Sequence, residues 1–531
     1  MEFFVSLPKT IECIVISAVF AVMLSVSAYK PMGVLQSSGY SGKKFLKWIK
    51  KKGNLALDRT LLLSLLCLFA CAVVSVCFYF AGSWSAVIGL SAYILFFTVY
   101  CIADSKIALR SSITFTPRLK RLYAVLFLTA AIVSYIFVAL ANFIDAVWCN
   151  KFFSCFRYCL LAVLPALILP LVMLANAISK IYETPHNKKF VKSAKAKLAS
   201  SNIKVIAITG SFGKTSTKFI LNEILSKKYK VLTTPRSHNT PIGIALAVNK
   251  SDLTAYDVFI AEMGARHVGD IAELCEICPP DVSLITGVCG QHMETFGTFA
   301  NVVKTKGEII SYTKDKTIIA SDAYDLFAER RGVYRSDCVK DIECSPNGTS
   351  FTLTLGGESK RVESKLLGRH SAYNIGLAAE GAFALGMNIE EIAEAVKDID
   401  YIEHRLQLIK SGNVKILDDG YNSNVKGASA ALEVLRLFEG GKIAVTPGLV
   451  ELGVLEEKEN YELGKQLVGL DYVILVGDTL IQPVKRGYIE NGGDEAKLII
   501  KPTLDGAKDA LKEILQSGDT VLFLNDLPDV V

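Results

Sequence analysis

A glycine-rich segment is the part of this chain best suited to bind phosphate. It reads TGSFGKTST over residues 209–217, after the apolar, β-rich run 203–208 and before a stretch with the apolar spacing of a helix. Glycines let the backbone approach phosphate closely, and the amides that begin a helix carry partial positive charge. We therefore predict an ATP-binding loop that contains Gly210, Ser211, Gly213, Lys214, Thr215 and Ser216.

Two side chains of this loop carry the chemistry that phosphate binding needs. Lys214 can reach the β- and γ-phosphates, and the hydroxyl of Thr215 is a suitable ligand for Mg²⁺. The longer GxxxxGK[ST] pattern is incomplete, because Ile208 occupies its first glycine position and only the shorter GxxGKT remains. ATP and Mg²⁺ are the cofactors that this segment predicts.

Six further motifs follow the loop along the chain. They are SHNTPIG (237–243), AEMGA (261–265), the block from ITG (285–287) through His292, ETFG (294–297) and KTKGE (304–308), then GRHSAYN (368–374), EHR (403–405) and DDGYNSN (418–424). Together with the loop they resemble the Mur ligase family over about residues 190–531. Within that family they are most similar to the branch that adds D-alanyl-D-alanine to UDP-N-acetylmuramoyl-tripeptide. Seven motifs in the family's order make the resemblance specific.

The resemblance implies an ATP-dependent ligase that makes an amide bond through an acyl phosphate. Such phosphoryl transfer depends mostly on positioning and charge neutralisation. Glu262 and Thr215 would hold one Mg²⁺, and His292 with a carbamylated Lys306 would hold a second. Carbamylation turns the Lys306 amine into an oxygen ligand, which Mg²⁺ accepts.

The resemblance also assigns the remaining residues of the site. Asn374 would contact the adenine, Arg405 would hold phosphate from the C-terminal domain, and Asp419 would contact the nucleotide there. Asn239 and Thr240 would belong to the loop that binds substrate. ATP would then lie between two domains, so that domain closure completes the site.

The sequence departs from the family in three places. Residues 1–184 replace the domain that grips the UDP-sugar. The segment VTPGLVELG (445–453) lacks the family's acidic-Met pair, and GDTVLFLNDLP (518–528) lacks its Lys-Gly-Ser. Amide ligation in cell-wall (peptidoglycan precursor) assembly is therefore better supported than D-alanyl-D-alanine transfer itself. A muramyl-peptide carboxylate carried on a lipid becomes a hypothesis for the acceptor.

The N-terminal third is apolar enough to cross a membrane. A span needs about 20 apolar residues, and five runs reach that length: 11–29, 61–80, 84–103, 122–144 and 158–178. They carry no charged residue at mid-span, which favours an anchor or a groove for a lipid-linked substrate over an ion pathway. Pro165 and Pro170 predict a kink in the last span.

The distribution of charge predicts an orientation. Lysine and arginine cluster in the segments 30–60, 104–121 and 180–197, which five spans place on one side of the membrane. Because such residues mark cytoplasmic loops, we expect an outside N-terminus and cytoplasmic catalytic domains at the inner membrane. The net charge of +6 is modest and does not indicate a nucleic-acid partner. We interpret the cysteines, including the Cys275–Cys278 pair, as buried apolar residues and not as a zinc site.

We divide the 531 residues into a transmembrane region (1–184), a central ATP-binding domain (185–400) and a C-terminal domain (401–531). The expected fold class is a membrane α-helical region of about five spans followed by α/β structure. That structure would be a P-loop ATPase domain with a mainly parallel sheet and a Rossmann-like ligase domain. Residues 185–200 would form a connector. The predicted strands are 203–208, 231–234, 257–262, 282–286, 414–418, 442–446, 472–476, 497–500 and 520–524.

Two other functions stay open at this point. One is a non-catalytic, ATP-binding scaffold that organises cell-wall enzymes at the membrane. The residues that argue against it are the intact Lys214, Glu262, His292 and Lys306. The other is an ATP-driven transporter, which would need polar groups within the spans and a second nucleotide motif. Neither feature is evident in the sequence.

Overall fold

The chain forms a helical unit that ends at His186 and an α/β unit from Asn187 to Leu527. A computed structural model describes residues 9–50, 56–81, 84–105, 113–148, 151–235, 238–421, 424–450, 452–477 and 480–525. The boundary between the units lies two residues beyond the end of the predicted transmembrane region. The central and C-terminal domains predicted from the sequence both belong to the α/β unit.

Among the described residues, five helical segments are long and apolar enough to cross a membrane: Lys9–Ser27, Ala56–Cys77, Trp84–Asp104, Pro117–Val147 and Arg157–Ala199. The helices of this part of the chain are α1 Lys9–Ser27, α2 Tyr29–Ser37, α3 Gly42–Ile49, α4 Ala56–Cys77, α5 Trp84–Ser105, α6 Pro117–Trp148, α7 Lys151–Ser154 and α8 Ile168–Ala199, of which α8 extends past His186. The five predicted runs therefore correspond to helical segments of the right length. Membrane insertion and orientation stay predictions.

The last of these segments differs from its prediction. It begins as a 3₁₀ helix from Arg157 to Leu167, which contains Pro165, and becomes α-helical only at Ile168. Pro170 therefore lies in the first turn of α8, where a proline costs no hydrogen bond within the helix. The predicted connector 185–200 is also different, because α8 continues through Pro185 as far as Ala199.

A six-stranded parallel sheet forms the centre of the α/β unit, in the order β2-β3-β1-β4-β5-β6. Its strands are β1 Lys204–Thr209, β2 Val231–Thr233, β3 Val258–Glu262, β4 Val282–Ile285, β5 Lys316–Ala320 and β6 Val333–Ser336. Residues 205–209 are buried throughout, as expected for a central strand that helices cover on both faces. The carboxyl ends of β1, β3 and β4 therefore meet at one edge of the sheet.

Helices and a small antiparallel sheet complete this half of the unit. The helices are α9 Lys214–Leu225, α10 Pro241–Lys250, α11 Asp270–Ile277, α12 Met293–Phe296, α13 Phe299–Lys306, α14 Arg369–Ala384 and α15 Ile389–Asp398. The antiparallel sheet contains β7 Val339–Ser345, β8 Gly348–Leu355 and β9 Glu358–Ser364. Apolar side chains from β8, α9 and α14 share one core, so the small sheet packs onto the helices that flank the phosphate loop.

A second six-stranded sheet follows, in the order β10-β11-β15-β12-β13-β14. It is parallel except for β10, which pairs antiparallel with β11. Its strands are β10 Gln407–Ser411, β11 Val414–Asp419, β12 Lys442–Thr446, β13 Tyr472–Val476, β14 Leu498–Lys501 and β15 Thr520–Leu524. The helices between them are α16 Val425–Leu435, α17 Glu456–Gln466, α18 Ile481–Glu490 and α19 Leu504–Ile514.

All nine predicted strands are found, with ends that agree to within one residue. The sequence analysis missed six others, namely β5, β6, β7, β8, β9 and β10. The mainly parallel central sheet and the α/β C-terminal domain are thus confirmed. Cys275 and Cys278 are both buried in the apolar core beside the sheet, and burial raises the pKa of each thiol.

A fully buried asparagine fixes a loop of the C-terminal domain. The Oδ1 of Asn460 accepts a hydrogen bond from Leu449 N at 2.7 Å, and its Nδ2 donates to Leu449 O at 2.9 Å and to Glu456 O at 2.8 Å. A buried amide side chain with three partners ties the loop before residue 450 to α17. Its removal leaves those backbone groups without partners, which costs about 1–3 kcal/mol for such a group.

We expect Asn460→Ala to loosen this loop locally. Amide hydrogen exchange at Leu449, measured by mass spectrometry, should become faster by the factor that about 1–3 kcal/mol implies. The matched control is Asn491→Ala, because Asn491 is exposed although its Nδ2 also donates to a backbone carbonyl, Gly487 O. Equal exchange rates at Leu449 in wild type and Asn460→Ala would contradict the assignment.

Candidate active site

The glycine-rich loop connects the carboxyl end of β1 to the first turn of α9. Gly210 has φ +150°, and a Cβ there would come within 2.2 Å of the Thr286 hydroxyl. Gly213 has φ +76°, and a Cβ there would lie 2.8 Å from Asn374 Oδ1. Both positions therefore need glycine. The loop is also tied to the end of β4, because Ser211 N donates to Gly287 O at 2.7 Å.

A cavity of about 800 Å³ opens beside this loop. Residues of the loop line it together with residues far along the chain. The sequence-predicted members of its wall are Ser211, Gly213, Lys214, Thr215, Ser216, Asn374, Arg405 and Asp419. The fold thus brings the predicted nucleotide residues of the central and C-terminal domains around one space, which is large enough for a nucleotide.

A second cavity, of about 320 Å³, adjoins the first. The predicted residues in its wall are Gly210, Asn239, Thr240, His292 and Lys306. Ser211 and Lys214 line both cavities. A group bound in one cavity can therefore contact a group bound in the other at the side chain of Lys214.

Glu262 ends β3, opposite Ile208 of β1, and is in the wall of neither cavity. Its carboxylate is 1% exposed. Thr215 Oγ1 is 3.3 Å from Glu262 Oε1 and 3.2 Å from Oε2, and Asn239 Nδ2 donates to Oε1 at 3.2 Å. Lys218 Nζ forms an ion pair with Oε2 at 3.1 Å. The strand end, the loop and the following helix thus converge on one carboxylate.

This arrangement fits Mg²⁺. Magnesium in nucleotide sites is held by one or two carboxylates together with phosphate oxygens and waters, and not by an all-protein cage. The adjacent oxygens of Thr215 and Glu262 supply such a partial set. Within the described residues there is no group of three or more His, Cys, Asp and Glu side chains that could hold a metal by itself.

Lys306 is the last residue of α13 and is 3% exposed. Burial lowers the pKa of its amine to about 7, and the nearby charge of Lys214 acts in the same direction. His292, with φ +54°, immediately precedes α12 and lines the same cavity. The fold therefore places a lysine that is readily neutral next to the second cavity.

The remaining cations are also withdrawn from water. Burial lowers the pKa of Lys214, and the charge of Arg405 lowers it further while Glu262 opposes the change. Burial likewise lowers the pKa of Arg405, against the charges of Asp419 and Glu262. Arg405 Nη1 donates to Tyr421 O at 2.8 Å, and Asp419 Oδ1 accepts a hydrogen bond from Leu406 N at 3.0 Å.

Some residues of the site were not predicted. Lys426 Nζ is 2.7 Å from Asp322 Oδ2 and lies 5.1 Å from the centre of the Phe212 ring, and all three residues line the larger cavity. His370 is in the same wall, and burial lowers its pKa to about 4. Lys426 closely follows the DDGYNSN motif and His370 lies within GRHSAYN. These two motifs could therefore have indicated both residues from the sequence.

Four residues of the predicted motifs cannot be placed in the site. Ser237, Asn422, Ser423 and Glu451 belong to the motifs but lie outside the described residues. The hydroxyl of Thr240 accepts a hydrogen bond from Gly243 N and so caps α10, although Thr240 also lines the second cavity. His267, for which no role was predicted, lies in the wall of that cavity as well.

Comparison with known proteins agrees with this geometry. Residues 208–382 match the Mur ligase middle domain, and residues 404–525 match the Mur ligase glutamate ligase domain. The UDP-N-acetylmuramoyl-tripeptide–D-alanyl-D-alanine ligase of Escherichia coli (strain K12) is 31% identical over 335 residues, which are 59% of this chain and 74% of that protein.

Solved structures of Mur ligases are also similar to this chain. MurF from Acinetobacter baumannii is similar with a TM-score of 0.58 and 25% identity, over 64% of this chain and 77% of that one. The MurF ligase from Thermotoga maritima in complex with ADP has a TM-score of 0.58 and 28% identity, over 65% of this chain and 81% of that one. This chain therefore belongs to the Mur ligase family of ATP-dependent, amide-bond-forming ligases.

Proposed function

We propose that this protein joins an amine to the carboxylate of a muramyl peptide at the cytoplasmic face of the membrane. The observation that carries this proposal is the wall shared by the two cavities, where Ser211 and Lys214 face both. ATP would occupy the larger cavity, next to Asn374. The carboxylate substrate would occupy the smaller one, beside Asn239 and Thr240.

Two bond-forming steps follow from this placement. An oxygen of the substrate carboxylate bonds to the γ-phosphorus while the bond to the β–γ bridging oxygen breaks, which gives an acyl phosphate and ADP. The amine then bonds to the acyl carbon, inorganic phosphate leaves, and the nitrogen loses a proton. Lys214 and Arg405 neutralise negative charge on the transferred group, which is the main task of a protein in such a transfer.

The metal-binding residues have a role in the same step. Thr215 and Glu262 would hold one Mg²⁺, and His292 with Lys306 would hold a second. Mg²⁺ bound there would neutralise charge on the phosphates and on the acyl phosphate. As a cation Lys306 would repel the metal, whereas as a carbamate it is an anionic oxygen ligand.

Carbamylation of Lys306 is supported by its surroundings. Only a neutral amine can attack carbon dioxide, forming an N–C bond and releasing one proton. Burial keeps the pKa of Lys306 at about 7, so a large fraction of the amine is neutral at physiological pH.

We further propose the two substrates and the membrane location. The E. coli relative is named for UDP-N-acetylmuramoyl-tripeptide and D-alanyl-D-alanine, and we propose D-alanyl-D-alanine as the amine here. Five helical segments of the described residues are apolar enough to cross a membrane, and residues 1–184 precede the region that matches the family. The acceptor that we propose is therefore a muramyl peptide carried on a lipid.

We expect Lys306→Ala to abolish ligation without abolishing nucleotide binding. Loss of a charge-stabilising ligand in the transition state typically lowers turnover by about 10²–10³-fold. ADP release should fall to that extent, while ADP affinity measured by calorimetry changes little. The control is Lys304→Ala, which removes an exposed lysine from the same helix. Unchanged turnover in Lys306→Ala would contradict the proposed role of Lys306, whereas unchanged cellular function in Lys306→Ala would favour the non-catalytic scaffold.

Carbamylation should also depend on pH. The pKa of unmodified Lys306 is about 7, so at a fixed concentration of dissolved carbon dioxide the neutral amine predominates above pH 7 and decreases below it. We expect the carbamate signal, detected by NMR with carbon-13-labelled bicarbonate, to weaken as the pH falls through 7. Lys306→Ala should lack this signal at every pH, and a signal that it retained would assign the carbamate elsewhere.

The substrate proposal is tested with the detergent-solubilised protein. ADP release is measured with UDP-linked and with lipid-linked muramyl tripeptide, each with D-alanyl-D-alanine or another amine. We expect D-alanyl-D-alanine to be used and the lipid-linked acceptor to be preferred. Full activity on the UDP-linked form, with the lipid-linked form ignored, would overturn the lipid proposal. ATP binding without ADP release from any pair would favour the scaffold.

A further inference from the structure

A buried lysine next to the phosphate loop has no assigned role. Lys218 lies one helical turn after Lys214 on α9, so both side chains leave the same face of the helix. It is 6% exposed and lines neither cavity. A lysine this deep in a protein is rare unless its charge is paired, and its partners therefore indicate what it does.

The ammonium group of Lys218 contacts two separate parts of the chain. Its Nζ donates to Thr234 O at 2.9 Å and forms an ion pair with Glu262 Oε2 at 3.1 Å. Thr234 is itself bonded to the end of β3, because its Oγ1 accepts from Glu262 N at 3.2 Å and its N donates to Ile260 O at 3.1 Å. Lys218 thus connects α9 to both Glu262 and Thr234.

Asn239 contacts the other oxygen of the same carboxylate. Asn239 Nδ2 donates to Glu262 Oε1 at 3.2 Å, and Asn239 O accepts from Gly264 N at 2.9 Å. The two carboxylate oxygens therefore have different nitrogen partners, Lys218 at Oε2 and Asn239 at Oε1. Two donors at opposite oxygens fix the plane of the carboxylate, with both oxygens within 3.3 Å of the Thr215 hydroxyl.

We propose that Lys218 is a positioning residue that holds Glu262 and Thr234 in their working arrangement and, through Glu262, also holds Asn239. It balances the charge of the buried carboxylate, keeps its oxygens turned toward Thr215, and keeps Asn239 and Thr240 in the wall of the second cavity. This inference rests on the proposed role of Glu262 as a ligand of Mg²⁺. Lys218 acts through Glu262 and Asn239 and touches no substrate.

Removal of Lys218 should therefore affect metal and acceptor more than nucleotide. The phosphates of ADP would contact the glycine-rich loop and Lys214, which do not depend on Lys218. The carboxylate would lose one of its two nitrogen partners, and Thr234 would lose its bond to α9. Misplacement of reacting groups by about 1 Å can cost about 10²-fold in rate.

The test compares full-length Lys218→Met, Lys218→Gln and Lys218→Arg with wild type. Methionine keeps the length of the side chain and removes its charge and donors, glutamine keeps a donor without charge, and arginine keeps both. The control is Lys228→Met, which removes an exposed lysine that pairs with Glu391 at 3.1 Å. Two quantities are measured: the rise in melting temperature with ADP alone, and the further rise when Mg²⁺ is added.

In Lys218→Met and Lys218→Gln the rise with ADP alone should equal that of wild type, and the further rise with Mg²⁺ should be lost. Lys218→Arg should recover part of the Mg²⁺ effect, and Lys228→Met should keep all of it. Turnover in Lys218→Met should fall about 10²-fold, with a higher KM for the muramyl-peptide acceptor and an unchanged KM for ATP.

The results separate this inference from the proposed function. A full Mg²⁺ effect in Lys218→Met, or equal loss of the ADP and Mg²⁺ effects in Lys218→Met and Lys218→Gln, would overturn the positioning role. If Lys218→Met does not fold, Lys218→Gln and Lys218→Arg decide the question by the same two measurements. Absence of any Mg²⁺ effect in wild type would instead contradict the proposed role of Glu262. These binding measurements need no acceptor, so a wrong choice of acceptor leaves them unaffected.

Discussion

The withdrawal of several positive charges from water around one phosphate site is the constraint on which the rest of the α/β unit depends. Burial lowers the pKa of Lys214, Lys306 and Arg405, and neighbouring cations lower the pKa of the first two further. The charge of Glu262 opposes the lowering for Lys214, and the charges of Asp419 and Glu262 oppose it for Arg405. A polyphosphate placed among these groups would relieve their mutual repulsion, so the protein is complementary to a highly charged anion.

The sheet explains how such charges can be brought together. The glycine-rich loop follows β1, Glu262 ends β3, and Thr286 follows β4, and these three strands are neighbours in the order β3-β1-β4. Parallel strands present their carboxyl ends at the same edge, which is where ligands bind in open α/β sheets. Residues separated by about fifty to eighty positions in the sequence therefore meet at one edge of the sheet.

Some elements of this fold could be predicted from the sequence, and others could not. The nine predicted strands are apolar runs, and the phosphate loop is a local pattern, so both could be recognised without tertiary information. The strand β7 could not, since the residues of VKDIECS are exposed or half-buried in no regular alternation. The helix through residues 185–199 was also missed, because a proline and many lysines are typical of a connector.

The contacts of Lys218, Lys426 and Asp322 were beyond sequence reasoning for a different reason. Each joins elements that are distant in the chain. The sequence gives the residue type, but only the fold determines which groups a given lysine contacts. Lys218 and Lys214 are four residues apart on α9, yet one pairs with Glu262 behind the cavities and the other lines both. The residue type was visible in the sequence, and the direction of its ammonium group depended on the packing of β3 against α9.

One ion pair between the C-terminal and central domains contributes little to holding them together. Lys426 and Asp322 join the two domains at 2.7 Å, but their side chains are 51% and 47% exposed. Ion pairs that exposed contribute about 0–1 kcal/mol. Apolar packing is a further link, because Leu367 lies in the core of the C-terminal domain. The larger cavity takes residues from both domains, so a nucleotide that contacts Lys214 and Arg405 would bind both domains at once and add to that packing.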